Sequence, residues 1–420
     1  MLSIHSCPLG KVGAENTGGM SVYIREVARE LGRRGHLVDV YTRIHEPIHG
    51  PIVEIGQNAR LIHLKAGEEE IPKLAIYDHL GDFACDLEDF RKQNGLHYDL
   101  IHSHYWLSGL AGKRLQQWWD VPHMIGFHTL GAIKNAIGIG KDESELRINA
   151  ENELVKDCHR IIASTEKGKE DLISYYDAAP ETISIIPCGV NLDLFQPIKR
   201  EIARGQLGLN GNRIILFVGR IVPLKGIENL LKAMAYLESK KRINLVVIGG
   251  DEHSRAEMQK LKNLSRSLKI DESVTFLGLV KQEMLPFFYS AADLCVVPSY
   301  YESFGLVVLE SLACGTPVVA TRVGGAESVI RHGETGYVVI DNDPRCLADK
   351  IALLLSASDG KTESAGSVRA SVTKYSWSNI TEAILAEYRS VLGGFSAKPR
   401  KNVQEFRVSQ NSSTCEPNGA

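Results

Sequence analysis

"HSCPLGKVGAENTGGMSVYIREVARELGRRGH", His5–His36, follows a short apolar run at Met1–Ile4. The loop holds Gly10, Gly13, Gly18 and Gly19, and a helical pattern begins at once. From Met20 to Arg34, Val22, Val27, Leu31 and their neighbours mark one apolar face, the spacing of an amphipathic helix. Strand, glycine-rich turn and helix make the first unit of an alternating fold. Two adjacent glycines let main-chain N–H groups approach an anion closely, and the helix N-terminus adds partial positive charge. Taken alone, "TGGM" at Thr17–Met20 fits either a phosphate cradle or a plain tight turn. The spacing is not GxGxxG and no Walker lysine follows, which disfavours a nicotinamide cofactor or a P-loop ATPase.

The same alternation runs through the chain. Strands are expected near Leu2–Ser6, Leu37–Thr42, Leu61–Leu64, Leu100–Ser103, Met124–His128, Ile161–Ser164 and Ile183–Ile186. At "PCGVNLDLFQPIKR", Pro187–Arg200, the texture changes to turn residues, and a hinge is expected there. The pattern restarts with "RIILFVGR" (Arg213–Arg220) and continues through "INLVVIGG", "SVTFLGLV", "DLCVVPSY" and "TPVVATRVGG". Strands alternating with helices imply parallel sheets covered on both faces. Two such runs imply two doubly wound lobes, with ligands outside the carboxyl ends of their strands. The polar, aperiodic stretch Gly394–Ala420 reads as a disordered tail.

At 420 residues the chain exceeds one ordinary core, since single cores stop growing at roughly 250–300 residues. A net charge of −3 argues against a nucleic-acid binder held mainly by phosphate contacts. The eight cysteines are scattered, with no CxxC pair or Cys/His cluster suggesting zinc, so free thiols in a reducing compartment are expected. No basic segment precedes a long apolar core at the start, and no apolar run of about 18 residues occurs. The expected location is the cytoplasm.

Chemistry concentrates in the second half. "GRIVPLKG" puts Arg220 at a strand end and Lys225 five residues on, two cations able to flank a diphosphate. "PSYYESFGLVVLESLACGTPVVAT" places Glu302 in a loop and Glu310 eight residues later, in a helix expected to begin near Phe304. Eight residues at 100° each return to within about 80° of the start, so both carboxylates are expected to face one crevice. The amides of Phe304, Gly305 and Leu306 would lie at the helix N-terminus. Two acids beside bare amides suit a polyhydroxylated ligand. Glu310 sits in an apolar run, where an unpaired carboxylate is costly.

Arg220 and Lys225 followed by Glu302, seven intervening residues and Glu310 resemble the retaining GT-B glycosyltransferases of family 4. With the glycine-rich first loop, "HSHYWLSGL" and "GFHTLGAIKNA" are similar to one branch of it, that of D-inositol 3-phosphate glycosyltransferase and sucrose-phosphate synthase. The resemblance covers roughly residues 1–393. It implies an α/β GT-B fold: two Rossmann-like doubly wound parallel-sheet domains facing a central cleft. Residues 1–195 would bind the acceptor and 196–375 the nucleotide sugar, while a helix at about 376–393 packs back on the first domain. It implies that Arg220 and Lys225 hold the donor diphosphate, Glu310 takes the ribose hydroxyls, and Glu302 lies beside the transferred sugar. The backbone of Phe304, Gly305 and Leu306 would help there. His128 would contact the sugar, while Gly18, Gly19 and Ser21 would close over the diphosphate. His5 would sit near the acceptor. Tyr105, Thr129, Lys134 and Arg147 would grip the acceptor's phosphate, with Lys73 as a further cation.

The implied activity is retaining hexosyl transfer from a nucleotide diphosphate sugar, UDP-GlcNAc or UDP-glucose, to a phosphorylated polyol or sugar, D-inositol 3-phosphate first. Front-face attack is expected, because no second carboxylate is placed as a nucleophile. No metal is required, since lysine and arginine neutralise the leaving group, and a bound Mg²⁺ is compatible. Sucrose-phosphate synthase chemistry on fructose 6-phosphate is the nearest alternative, and "GGM" stands where those enzymes tend to carry glutamine after the glycines. A transferase for a lipid or polysaccharide precursor at the membrane face and a non-catalytic nucleotide-sugar sensor are the others. Glu26 and Glu30 interleave Arg25, Arg29, Arg33 and Arg34, which favours a solvated face over a membrane patch. The oligomeric state is left open, a homodimer included.

Overall fold

The apolar opening Met1–Ile4 lies in the middle of the first sheet. The computed structural model describes residues 1–395 except 12, 14–16, 45–49, 141, 210, 238–241 and 358–363. Main-chain bonds run from Leu2 N to His102 O (3.0 Å) and from Tyr41 N to Met1 O (2.9 Å), so this segment joins two groups of strands. On one side lie β1 (Val38–Arg43), β3 (Ala59–Leu64) and β2 (Ile52–Gly56), in that order. On the other lie β4 (Ile101–His104), β5 (His123–Gly126), β6 (Arg160–Ala163) and β7 (Ile183–Ile185). Every pairing is parallel except β2 with β3.

The second lobe is one six-stranded sheet, all parallel. Its order is β10 (Val274–Gly278), β9 (Ile243–Ile248), β8 (Arg213–Val218), β11 (Leu294–Val297), β12 (Val318–Thr321) and β13 (Gly336–Val339). Central strands β8, β9, β11 and β12 are runs of Val, Ile and Leu buried on both faces, as a doubly covered sheet requires. Apolar clusters fill both sides of each sheet.

The expected strand at Leu2–Ser6 is shorter, because His5 and Ser6 turn away from the sheet. The strand expected at Met124–His128 stops at Gly126, since His128 adopts a left-handed φ of 59°. Two edge strands escaped the periodic reading. β2 is mostly exposed and β13 only half-buried, so neither shows the apolar run of a central strand.

The helix Gly19–Arg33 buries Val22, Ile24, Val27, Ala28 and Leu31. At its C-terminal end Arg33 and the following Arg34 both pair with Glu30, at 2.7 Å and 2.6 Å. The helix Trp377–Gly394 packs against this face, with Trp377, Ile380, Ile384 and Leu385 in the same cluster. The chain thus returns to the first lobe, and the two crossings touch, Val190 N donating to Tyr375 O at 2.8 Å. The tail expected from Gly394 begins one residue inside this helix, and residues 396–420 lie outside the described residues. No described helix is long and apolar enough to cross a membrane.

Candidate active site

Both sheets reverse their winding at a switch point, and His5, Tyr105, Arg220 and Glu302 follow the carboxyl ends there. In the first lobe the reversal falls between Met1–Ile4 and β4, which deliver His5 and Tyr105. In the second it falls between β8 and β11, which deliver Arg220 and Glu302. Tyr105 has φ 76° and His128 φ 59°, left-handed conformations that cost side-chain-bearing residues energy and cluster at functional sites.

Around Tyr105 the structure gathers most of the residues assigned to the acceptor. The His5 ring lies 4.2 Å from the Tyr105 ring, the Arg147 guanidinium 4.8 Å from it and Lys73 Nζ 5.5 Å. Arg147 is 1% exposed. Its Nη2 donates to Thr129 Oγ1 at 3.0 Å and to Thr129 O at 2.8 Å. Its Nε meets Glu151 at 2.7 Å and its Nη1 meets Glu143 at 2.9 Å. Lys134 pairs with Glu143 as well. Burial first, then Arg147, Lys73 and Arg220, bring the Lys134 ammonium down to about 8. The same three cations lower His5 further after burial, which keeps its ring neutral. Buried His5 Nδ1 has no hydrogen-bond partner among the described residues.

His128 lines a cavity of about 670 Å³ between the lobes, with Thr129, Tyr301, Glu302, Arg322 and Glu327. Burial pulls its imidazole down to about 4, so the ring is neutral at physiological pH. Its Nε2 shares a 3.0 Å hydrogen bond with His104 Nδ1.

On the donor side Lys225 Nζ lies 2.5 Å from Glu302 Oε1, which also accepts from Ser299 Oγ at 2.8 Å. Lys225 precedes Gly226, where φ is 67° and a Cβ would fall 1.9 Å from Pro298 O, so only glycine fits. That approach seats the "PLKG" turn against the end of β11. Glu310 is buried, with Tyr289 OH donating to its Oε2 at 2.8 Å. Burial raises its carboxyl to about 7, opposed by the Tyr289 hydrogen bond and by Arg25.

Two expectations need correction. The helix after Glu302 starts at Leu306, with Gly305 at φ 99° before it, so helical phase does not connect Glu302 to Glu310. Glu302 lines the large cavity, whereas Glu310 lines a narrow space beside Val22, Glu26, Gln282, Leu306 and Trp377. Both spaces lie between the lobes. Ser21 is fully buried and its hydroxyl is 2.7 Å from Ser6 Oγ, so it braces the first loop from behind. Gly19 stands 3.4 Å, at its Cβ position, from Leu306 Cδ1, while a Cβ on Gly18 would meet open space. Gly19 therefore abuts the helix start of the opposite lobe, while Gly18 stays open. Phe304 O accepts from Gly325 N at 2.7 Å, and its ring is buried.

Several site residues were not read from the sequence. Tyr301 OH accepts from Leu130 N at 3.3 Å, Ser164 Oγ donates to Ser303 O at 2.7 Å, and Arg25 Nη2 donates to Gln282 at 2.6 Å. Each bond crosses between the lobes. Glu143, Glu151 and His104 also belong here. Only His104 had a local signal: in "HSHYW" it lies two residues from His102, on one face of a strand.

Two facing Rossmann-like lobes with their strand ends turned to a cleft of cations and carboxylates define a GT-B glycosyltransferase. The family model "Glycosyltransferase Family 4" matches residues 17–194 and "Glycosyl transferases group 1" matches residues 199–367. The chain belongs to this glycosyltransferase family. It is 39% identical over 416 residues to the D-inositol 3-phosphate glycosyltransferase of Mycobacterium leprae, covering 97% of this chain and 96% of that one. To the enzyme of the same name from Corynebacterium diphtheriae it is 38% identical over 398 residues, covering 92% and 93%. Among solved structures, sucrose-phosphate synthase from Thermosynechococcus elongatus superposes with a TM-score of 0.85 at 33% identity, covering 93% of this chain and 98% of that one. Anabaena HepE shares the fold at TM-score 0.73 and 18% identity, covering 92% and 100%.

Proposed function

We propose that this enzyme transfers a hexosyl group, with retention, from UDP-GlcNAc or UDP-glucose to a small phosphorylated polyol, D-inositol 3-phosphate first. The observation that carries the acceptor class is the cation cluster around Tyr105: Lys73, Lys134 and buried Arg147, with Thr129 beside them. Burying a phosphate dianion without cations is very costly, and neutral acceptors have no use for so many. The names of the bacterial relatives, at up to 39% identity, support the same acceptor. In this reading residues 1–195 hold the acceptor, residues 196–375 hold the nucleotide sugar, and the work is done in the cytoplasm.

As the bond to the sugar breaks, negative charge grows on the diphosphate. Arg220, Lys225 and the amides of Gly18–Gly19 stabilise that charge more in the transition state than before it. The acceptor hydroxyl attacks on the face the diphosphate leaves, and a leaving phosphate oxygen takes its proton. Neutral His128 and Glu302 orient the sugar. Glu310 accepts from ribose hydroxyls. Arg220 and Lys225 supply neutralising charge, so turnover is expected to survive chelation of Mg²⁺.

Fructose 6-phosphate is the second reading, favoured by the 0.85 TM-score to a sucrose-phosphate synthase. A screen pairing UDP-glucose, UDP-GlcNAc and GDP-mannose with inositol 3-phosphate and fructose 6-phosphate decides between them. A screen that yields no product from either acceptor would sink both.

A further inference from the structure

Glu143 holds the cations to which the preceding reading assigns the acceptor's phosphate. Its Oε2 lies 2.9 Å from Arg147 Nη1 and its other oxygen pairs with Lys134. A carboxylate bridging a lysine and an arginine occupies the donors that a phosphate oxygen needs. The other Arg147 nitrogens are already committed, Nε to Glu151 and Nη2 to Thr129. Nη1 is thus where this arginine would meet a ligand, and Glu143 stands on it.

The two carboxylates at Arg147 are held differently. Glu151 is fully buried and accepts from Gly131 N at 2.9 Å and from Tyr176 OH at 2.5 Å, so it is fixed in the fold. Glu143 is half-buried, and apart from Lys134 and Arg147 its anchors are main-chain ones. Its N donates to Asn135 Oδ1 at 2.7 Å, and Asn135 Nδ2 donates to its carbonyl at 3.1 Å. The backbone is pinned to the helix Gly131–Ile137, while the carboxylate pairs, among the described residues, with the two cations.

We propose that Glu143 is a specificity-determining residue of the acceptor pocket, an internal carboxylate that stands in for the acceptor's phosphate on Lys134 and Arg147 and yields to it. This rests on the phosphorylated-acceptor reading. Lys73, Lys134, Arg147 and Arg220 act on one another's surroundings here, against the carboxylates of Glu143 and Glu151. With Glu143 in place, a neutral polyol gains little from the cations. A dianion displaces the carboxylate and takes them whole.

The test is calorimetric titration of the full chain with inorganic phosphate, comparing wild type, Glu143→Gln, Glu143→Ala and Lys134→Met. Both Glu143 variants should bind phosphate about tenfold more tightly, and Lys134→Met about tenfold more weakly, tenfold being the scale of one charged contact. The KM for a phosphorylated acceptor should fall in Glu143→Gln. The glutamine keeps both main-chain bonds to Asn135, so the loop stays anchored. Wild-type or weaker phosphate affinity in both Glu143 variants, with Lys134→Met still weakened, overturns the stand-in role and leaves the acceptor reading intact. If Lys134→Met binds phosphate as wild type does, or wild type does not bind it, the acceptor reading fails and takes this proposal with it.

Discussion

Glu310 is the residue whose charge carries a readable pH signature. Its carboxyl titrates at about 7 in the folded chain, because burial opposes the charge. Between the unfolded value near 4.5 and about 7, the folded state holds a proton that the unfolded chain releases. Stability from this group is therefore complete below pH 4.5 and is lost as pH rises through 7, by up to roughly 3 kcal/mol. Glu310→Gln should raise the melting midpoint relative to wild type at pH 8, while cutting turnover because ribose hydroxyls lose an acceptor. In the wild type, kcat/KM for the donor should decline on the acid side of about pH 7, a limb absent from the glutamine variant. Lys225→Ala should lower kcat about 10²–10³-fold, the scale of one preorganised donor on a developing charge. Arg147→Ala should instead raise the acceptor KM about 10–100-fold. It also leaves buried Glu151 without its cation, which costs about 3–5 kcal/mol, so the assay belongs well below the variant's melting point. Equal activity in all three variants would overturn the site. Arg220, Lys225 and Glu310 could be singled out in advance because two cations after a strand and an acid in an apolar run are local signals. Glu143 was not legible, since a glutamate in a polar loop has no local mark.

Elements explain where those residues stand. The helix Gly19–Arg33 and the helix Trp377–Gly394 share one apolar cluster although some 350 positions separate them. Trp377 packs edge-on to Tyr23, ring centroids 5.6 Å apart. It also fills the space beside Gly189, where a Cβ would come within 2.6 Å of its ring. Trp377→Ala should lower the unfolding free energy by about 3–5 kcal/mol, measured by urea denaturation, because the cavity opens where both chain crossings meet. A loss below 1 kcal/mol would mean that the C-terminal helix docks without it. Helical periodicity marked the helix at Met20–Arg34 in the sequence, whereas the helix at about 376–393 and its packing on the first domain were expected from the resemblance. Their contact is a matter of two apolar stripes finding each other across the fold, which periodicity does not encode.

At the scale of the whole molecule, side-chain hydrogen bonds cross the interlobe space. Arg25 to Gln282 and Ser164 to Ser303 are among them. Each net hydrogen bond is worth about 1 kcal/mol. Losing two should shift an open–closed balance by roughly 30-fold. The double variant Gln282→Ala, Ser164→Ala should therefore show a larger radius of gyration in solution scattering and a higher donor KM. An unchanged radius would show that apolar contacts, such as Gly19 on Leu306, hold the lobes by themselves.

Local sequence determined the alternation of strands and helices, the two doubly wound sheets and the motif order that marks the family, because each depends on residues within a few positions of one another. Only the tertiary structure decided which charges meet. It set Glu143 on Lys134 and Arg147, turned Ser21 inward to Ser6, and parted Glu302 from Glu310 by a left-handed Gly305. The reason is physical: a helix or strand is fixed by short-range periodicity, whereas an ion pair is fixed by the distance between segments that fold together from far apart in the chain.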